Sequence, residues 1–181
     1  MPALKNKTYT TDYIYALPDG ERAELIDGKL YEMPFPNTRH QQLVGKISCL
    51  IRNYLDEKNI DDEAFFAPFA VFLENNDITY VEPDISVICD KSKLDDYGCN
   101  GAPDWIIEIV MPESRNMDYY IKLFRYAEAG VREYWIVDSV KNRIIVYNFE
   151  TEDVLEYTFA DKVKAGIYED LEIDFTEIKF K

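Results

Sequence analysis

The chain has 181 residues, enough for one domain with a sizeable core. Its 20 basic and 35 acidic side chains leave a formal charge of −15, which argues against a passive polyanion binder and against a surface for anionic membranes. With 47% hydrophobic residues it is expected to fold, and three cysteines with no C-x-x-C pair and one histidine argue against a disulfide framework, a zinc site or a Ser-His-Asp triad.

Thr11 to Leu17 reads as a short helix, stopped by Pro18, Asp19 and Gly20. Glu24-Leu25-Ile26 and Lys29 to Met33 flank Asp27-Gly28, a dipeptide suited to a tight hairpin turn. Pro34 and Pro36 break the chain. Thr38 as cap and Gln41 three residues later predict a helix running to about Asn59. Its apolar face is Leu43, Val44, Ile47, Leu50, Ile51, Tyr54 and Leu55, and Arg39 and Lys46 share a more polar side. Strands follow at Ala64 to Phe66, Phe69 to Leu73 and Ile85 to Cys89, then a polar loop from Lys91 to Gly101 and an apolar strand from Trp105 to Val110. A helix over Asp118 to Ala129 ends at Gly130. Tyr134 to Val137 and Ile144 to Phe149 are strands, with weaker β signal at Val154 to Phe159 and Leu171 to Ile173. The order predicts an α/β fold, a mixed sheet with helices packed against it, in a single domain over residues 1–181.

The charge is uneven. Residues 1–60 carry 8 basic and 8 acidic groups, and residues 61–181 carry 12 and 27. Met1 to Thr10 has no apolar leader, and no run approaches the ~20 residues of a membrane span, so a cytoplasmic protein without a membrane partner is expected.

Glu108 lies inside Trp-Ile-Ile-Glu-Ile-Val, a run typical of a buried strand, where a carboxylate is costly unless paired or bound to a cation. Alternation puts it on a face with Ile106 and Val110, so it either points to solvent or holds something. Asp84, after Pro83 at the mouth of a strand, is either a turn residue or a ligand for a hard cation such as Mg²⁺. Lys122 is either a solvated partner of Asp118 or a cation that orients water and stabilises phosphoryl charge. Glu24 and His40 read by themselves as a solvated strand edge and a capping or buried-edge imidazole.

These residues carry a resemblance. Glu-Leu-Ile-Asp-Gly (24–28), His40 at a helix start, Glu-Pro-Asp-Ile-Ser-Val (82–87), Gly-Ala-Pro-Asp-Trp-Ile-Ile-Glu-Ile (101–109), Lys122-Leu123 and Ala-Gly-Val-Arg-Glu-Tyr-Trp-Ile-Val-Asp (129–138) occur in order. The chain resembles, over residues 8–150, the Uma-two family of restriction-endonuclease-like proteins within the PD-(D/E)XK nuclease superfamily. The resemblance implies a restriction-endonuclease-like mixed β-sheet flanked by α-helices, and a Mg²⁺ site in which Mn²⁺ can substitute. It implies that Asp84, Glu108 and a main-chain carbonyl near Ile109 hold the metal. Glu24 matches a further acid, and His40 a family histidine without an assigned role. The motif Lys normally lies two residues after the Glu, where this chain has Val110, and Lys122 on the following helix matches the family's own position. Met111-Pro112-Glu113-Ser114 replaces a more Ser/Thr-rich loop.

Two functions remain open. One is a Mg²⁺-dependent endodeoxyribonuclease acting on DNA. The other is a catalytically inactive nuclease-fold binding or scaffold protein, which the charge and the lack of a DNA-reading module favour. A metal-dependent enzyme on another phosphate ester is also compatible with the residues. The aromatic second half (Tyr134, Trp135, Tyr147, Phe149, Tyr157, Phe159) supplies either core or a homodimer interface. DNA is expected on the side of Arg39 and Lys46, with the acidic tail facing away.

Overall fold

The computed structural model describes residues 7–74 and 76–179. In chain order the elements are α1 (Thr11–Tyr15), β1 (Ala23–Ile26), β2 (Lys29–Glu32), α2 (Thr38–Lys58), β3 (Glu63–Phe66), β4 (Val71–Phe72), β5 (Ile85–Ile88), β6 (Leu94–Asp95), β7 (Gly98–Asn100), β8 (Trp105–Ile109), α3 (Lys122–Ala129), β9 (Glu133–Asp138), β10 (Arg143–Asn148), β11 (Asp153–Tyr157), β12 (Lys162–Lys164) and β13 (Glu172–Asp174). Residues 1–6, most of the stretch read for a leader, and the tail's last two positions lie outside the described residues.

A six-stranded mixed sheet in the order β11-β10-β9-β8-β5-β3 forms the frame. Only β8 and β9 run parallel, and α3 lies in the crossover that parallel strands require. Both strands are buried along their full length, as a central position demands. Alternation sorts the side chains of β8. Trp105, Ile107 and Ile109 meet α2, while Ile106 and Val110 join the opposite layer with Ile26 of β1 and Tyr126 of α3. Glu108 therefore belongs to the α3 side of the sheet.

Helix α2 is capped one residue earlier than expected. Asn37 is the cap, accepting from the His40 N–H at 2.9 Å, so the Thr38 capping box does not form. Leu50, expected on the buried face, is exposed, whereas Leu43, Val44, Ile47, Ile51 and Leu55 are buried. Helix α3 is preceded by one π-helical turn, Met117–Ile121, and ends at Gly130 with φ 90°, a left-handed C-terminal cap.

The stretch from Lys91 to Gly101 is not a plain loop. Strands β6 and β7 form a hairpin, and β7 pairs in parallel with β4. Gly98 is required there: its φ is 150°, and a Cβ would lie 2.2 Å from the Ala70 carbonyl oxygen.

The acidic tail does not face away from α2. Val163, Ala165, Tyr168, Leu171, Ile173 and Phe175 pack with α2 residues into one core around Trp105 and Trp135. Lys58 pairs with Asp170, the Tyr54 hydroxyl donates to Asp170 at 2.5 Å, and Lys46 Nζ donates to the Lys179 carbonyl at 2.8 Å. The short apolar residues of the tail are pinned by burial, and its acids are left at the surface. Tyr134 and Trp135 are core residues. Among the described residues no helix is long and apolar enough to cross a membrane.

Candidate active site

The site follows from strand register. Ile85 pairs with Ile107 across the antiparallel strands β5 and β8, and one step further along that register sets Asp84 opposite Glu108. Directly opposed residues stand about 5 Å apart. The Asp84 N–H accordingly reaches Glu108 Oε2 at 3.3 Å, and the Ile109 N–H donates to Asp84 Oδ2 at 2.7 Å. Pro83, which has no N–H, precedes this point, so β5 cannot continue an ordinary ladder and the carboxylates take over its bonds.

Glu108 is 3% exposed, which rules out the solvent-facing reading. Its Oε1 accepts from Lys122 Nζ and from the Tyr126 hydroxyl, both at 2.8 Å. Lys122 is 4% exposed, so it is not a solvated helix lysine. Its ammonium also lies 2.9 Å from Glu24 Oε1 and 4.0 Å from Asp118 Oδ1. Glu24 is held by the Glu82 N–H at 3.0 Å, because β1 bridges to Tyr80 two residues before Glu82. His40 enters from the first turn of α2, with Nε2 3.1 Å from Asp84 Oδ2. Its Nδ1 is buried and has no hydrogen-bond partner among the described residues.

Thus Glu24, His40, Asp84, Glu108, Ile109 and Lys122 converge, and all six line one cavity of about 260 Å³. Arg39 and Lys46 do not line it. Arg39 donates to the Ser139 carbonyl at 3.2 Å, and Lys46 is committed to the tail.

Electrostatics distinguish the site from an ordinary salt bridge. Four carboxylates (Glu24, Asp84, Glu108, Asp118) face one lysine. Burial pushes Glu108 well above the usual carboxylate range; Lys122 opposes this, and Asp84, Asp118 and Glu24 add to it. Burial likewise pushes Asp118 up to about 7, against the pull of Lys122 and of the Ser114 hydroxyl, which donates at 2.6 Å. Burial alone would lower Lys122, but Glu108, Glu24 and Asp118 outweigh it and hold its pKa well above the ordinary value. The ammonium stays charged and the carboxylates remain under-neutralised.

The match to known proteins is broad. A family model described as "Uma2: Putative restriction endonuclease" matches residues 10–173. The chain belongs to the Uma2 family. An uncharacterized Synechocystis protein, slr1290, is 25% identical over 148 residues, covering 80% of this chain and 76% of that protein. A crystal structure of a "putative nuclease belonging to DUF820" from Anabaena variabilis superposes with a TM-score of 0.75 at 20% identity, covering 93% of this chain and 96% of that one. This likeness shows that the Uma2 chain has the expected mixed α/β fold.

Several site residues were not singled out from the sequence of this Uma2 chain. Asp118, which the sequence offers only as a surface partner of Lys122, and Tyr126 lie four residues either side of Lys122, and that spacing on one helix is the available signal. The π-helical turn widens the helix between Asp118 and Lys122, and both side chains end up buried. Glu82, which pairs with Arg22 and accepts from the Tyr80 hydroxyl at 2.6 Å, had no separate signal.

The donors suit a small hard cation. Among the described residues Asp84 Oδ1 has no hydrogen-bond partner, and Glu108 Oε2 has only the 3.3 Å contact from the Asp84 N–H. Two under-used carboxylate oxygens on opposed residues suit Mg²⁺, which takes one or two carboxylates plus water and phosphate. Among the described residues no three His, Cys, Asp or Glu groups form a full cage. A dedicated Ca²⁺ or Zn²⁺ site would ask for more.

Proposed function

We propose that this Uma2 protein is a Mg²⁺-dependent endodeoxyribonuclease that hydrolyses DNA phosphodiester bonds. The observation that carries the reading is the excess of buried carboxylate over lysine at the end of two neighbouring strands, opening into a cavity. Asp84, Glu108 and the Ile109 carbonyl would hold the metal, with Mn²⁺ as a substitute. The chemistry supplied by such an ion is polarisation of the phosphate and a lowered pKa for bound water.

The protein's own groups do the rest. Asp84 is fixed in one rotamer by the Ile109 N–H and by His40, so its free oxygen has a defined position. Lys122 is anchored by Glu108 and Glu24, which leaves its ammonium able to orient a water and to donate to the charge that builds on the phosphoryl oxygens. Tyr126 keeps Glu108 in place, and burial together with the neighbouring carboxylates holds its hydroxyl well above the ordinary phenol range, so it remains a donor. In the reaction a bond forms between water oxygen and phosphorus, the bond from phosphorus to the leaving sugar oxygen breaks, and the leaving oxygen acquires a proton.

Supercoiled plasmid incubated with Mg²⁺ or Mn²⁺ tests the reading. Nicking is expected from the wild-type chain and loss is expected in Asp84→Asn, Glu108→Gln and Lys122→Met, with His40→Gln retaining a reduced rate. Nicking that persists in the first three variants would overturn the assignment. The second reading, a scaffold that keeps the fold without activity, is favoured by the charge of −15 and by the engagement of Arg39 and Lys46 with main-chain carbonyls. It predicts neither nicking nor a metal-dependent melting shift. A homodimer would let two copies cut two strands, and sedimentation of the full chain with and without DNA tests it.

A further inference from the structure

A second cavity, of about 460 Å³, adjoins the catalytic one. Arg22, Glu32, Met33 and Pro34 line both, so the two cavities share a wall that includes Arg22. The outer cavity combines apolar and aromatic side chains, Tyr13, Leu17, Leu30, Met33 and Phe35, with a polar lining in which Glu21 and Glu32 accompany Arg22. Phe35 is held out between Pro34 and Pro36 and is 83% exposed, the most exposed large apolar side chain among the described residues. Tyr13 is 41% exposed and stacks edge-on against Tyr9, and Lys7 Nζ lies 4.6 Å from the Tyr9 ring centroid and 5.8 Å from that of Tyr13.

Arg22 and Lys122 are the two Lys or Arg side chains among the residues lining the inner cavity. Lys122 is buried among carboxylates. Arg22 has a third of its side chain exposed and is aimed by Glu82. A duplex presents a dense line of phosphates and hides the faces of its bases, so it meets acids here and gains nothing from the aromatic ledge. A single strand offers exposed base faces, and aromatic rings interleaved with a few cations are what such a strand uses.

We propose that the outer cavity is a subsite for an unpaired DNA base. The nucleotide next to the scissile bond places its base against Phe35 and Tyr13 and its phosphate on Arg22. The substrate is then single-stranded or locally unpaired DNA. This inference rests on the nuclease reading of the inner cavity for the meaning of "scissile", but the binding event can be measured without cleavage.

The test is fluorescence anisotropy of a labelled thymidine octamer, and of a hairpin whose fully paired stem has the octamer's length and is closed by a non-nucleotide linker, with the full chain in Ca²⁺, which takes oxygen ligands as Mg²⁺ does. The octamer is expected to bind more tightly than the hairpin. Phe35→Ala should weaken octamer binding about tenfold, the weight of one stacked base. Arg22→Gln should weaken it and flatten its salt dependence. Phe35 is exposed, so Phe35→Ala should melt with the wild type. Equal or tighter binding of the hairpin, no binding of the octamer, or unchanged affinity in Phe35→Ala would overturn the subsite. So would a dimer that Phe35→Ala dissociates, because a second copy would then cover the groove. Cleavage of the octamer itself in Mg²⁺ or Mn²⁺, read on a denaturing gel, separates the two claims. Cleavage with an unaltered Phe35→Ala affinity sinks the subsite alone, and octamer binding that needs Phe35 without any cleavage sinks the nuclease reading alone.

Discussion

Replacing Asp118 by asparagine should stabilise the metal-free protein, and only above mildly acidic pH. Asp118 is 2% exposed, and its carboxyl is pushed from 3.8 up to about 7, by burial first and by Asp84 and Glu24 after it. A raised carboxyl pKa means that, between these values, the folded chain holds a proton that the unfolded chain has lost. The associated stability is fully present below pH 3.8 and is lost as pH rises through about 7. At about 1.4 kcal/mol per pH unit the loss is about 4 kcal/mol at pH 8. Asparagine cannot ionise, still accepts from Ser114, and gives up only a 4.0 Å contact with Lys122. Asp118→Asn should therefore gain about 2 to 4 kcal/mol at pH 8 in EDTA and close to nothing at pH 4. Urea denaturation across that range measures it. A variant that is less stable at pH 8, or whose difference does not grow with pH, would show that Lys122 compensates all the carboxylates and that the cluster carries no surplus charge.

Mg²⁺ at a hundred times its Kd should add about 2.7 kcal/mol to wild-type stability and nothing to Asp84→Asn or Glu108→Gln, read by thermal melting. Lys122→Met leaves Glu24 and Glu108 buried without their cation, so it should cost about 3 to 5 kcal/mol at pH 8 and less at pH 5, where the raised Glu108 carboxyl takes up a proton; a cost that ignores pH refutes this. Gly98→Ala must either abandon φ 150° or strike the Ala70 carbonyl, and should lose at least about 2 kcal/mol in urea denaturation. A stop after Thr158 removes Val163, Ala165, Ile173 and Phe175 from the core at about 1 to 3 kcal/mol each, so the shortened chain should show no cooperative melt.

The strands at the centre were legible because their composition leaves little choice. Trp105 to Ile109 is apolar on both faces, and the lone carboxylate within it marks both a central strand and a site. What the sequence does not contain is register. Nothing in the residues around Asp84 says that it stands opposite Glu108 and not one step away, and a one-residue slip would send Glu108 to the α2 side. The cap of α2 was misread for a local reason: Asn37 and Thr38 are both good caps, and the backbone geometry decides between them. The hairpin β6–β7 gives no strand signal in the sequence because its strands are two and three residues long and depend on β4, far away in sequence. The tail was misplaced for a similar reason. Its apolar residues are scattered singly among acids, and only the core they enter gives them a common face.

That last point changes what the acidic charge means. An acidic tail set apart from the helix would have left Arg39 and Lys46 as an open basic side for DNA. Instead the tail packs on α2 and takes up Lys46 and Lys58. Steering by long-range attraction is therefore weak on that flank. The catalytic cavity shares Arg22, Glu32, Met33 and Pro34 with the outer one, so a strand that reaches the carboxylates from the β1–β2 hairpin meets apolar and aromatic side chains, the cation of Arg22 and the acids Glu21 and Glu32. If the chain is the nuclease proposed above, its metal would supply most of the attraction to phosphate and stacking on Phe35 and Tyr13 most of the grip on the strand, and both favour a substrate that is already unpaired when it arrives.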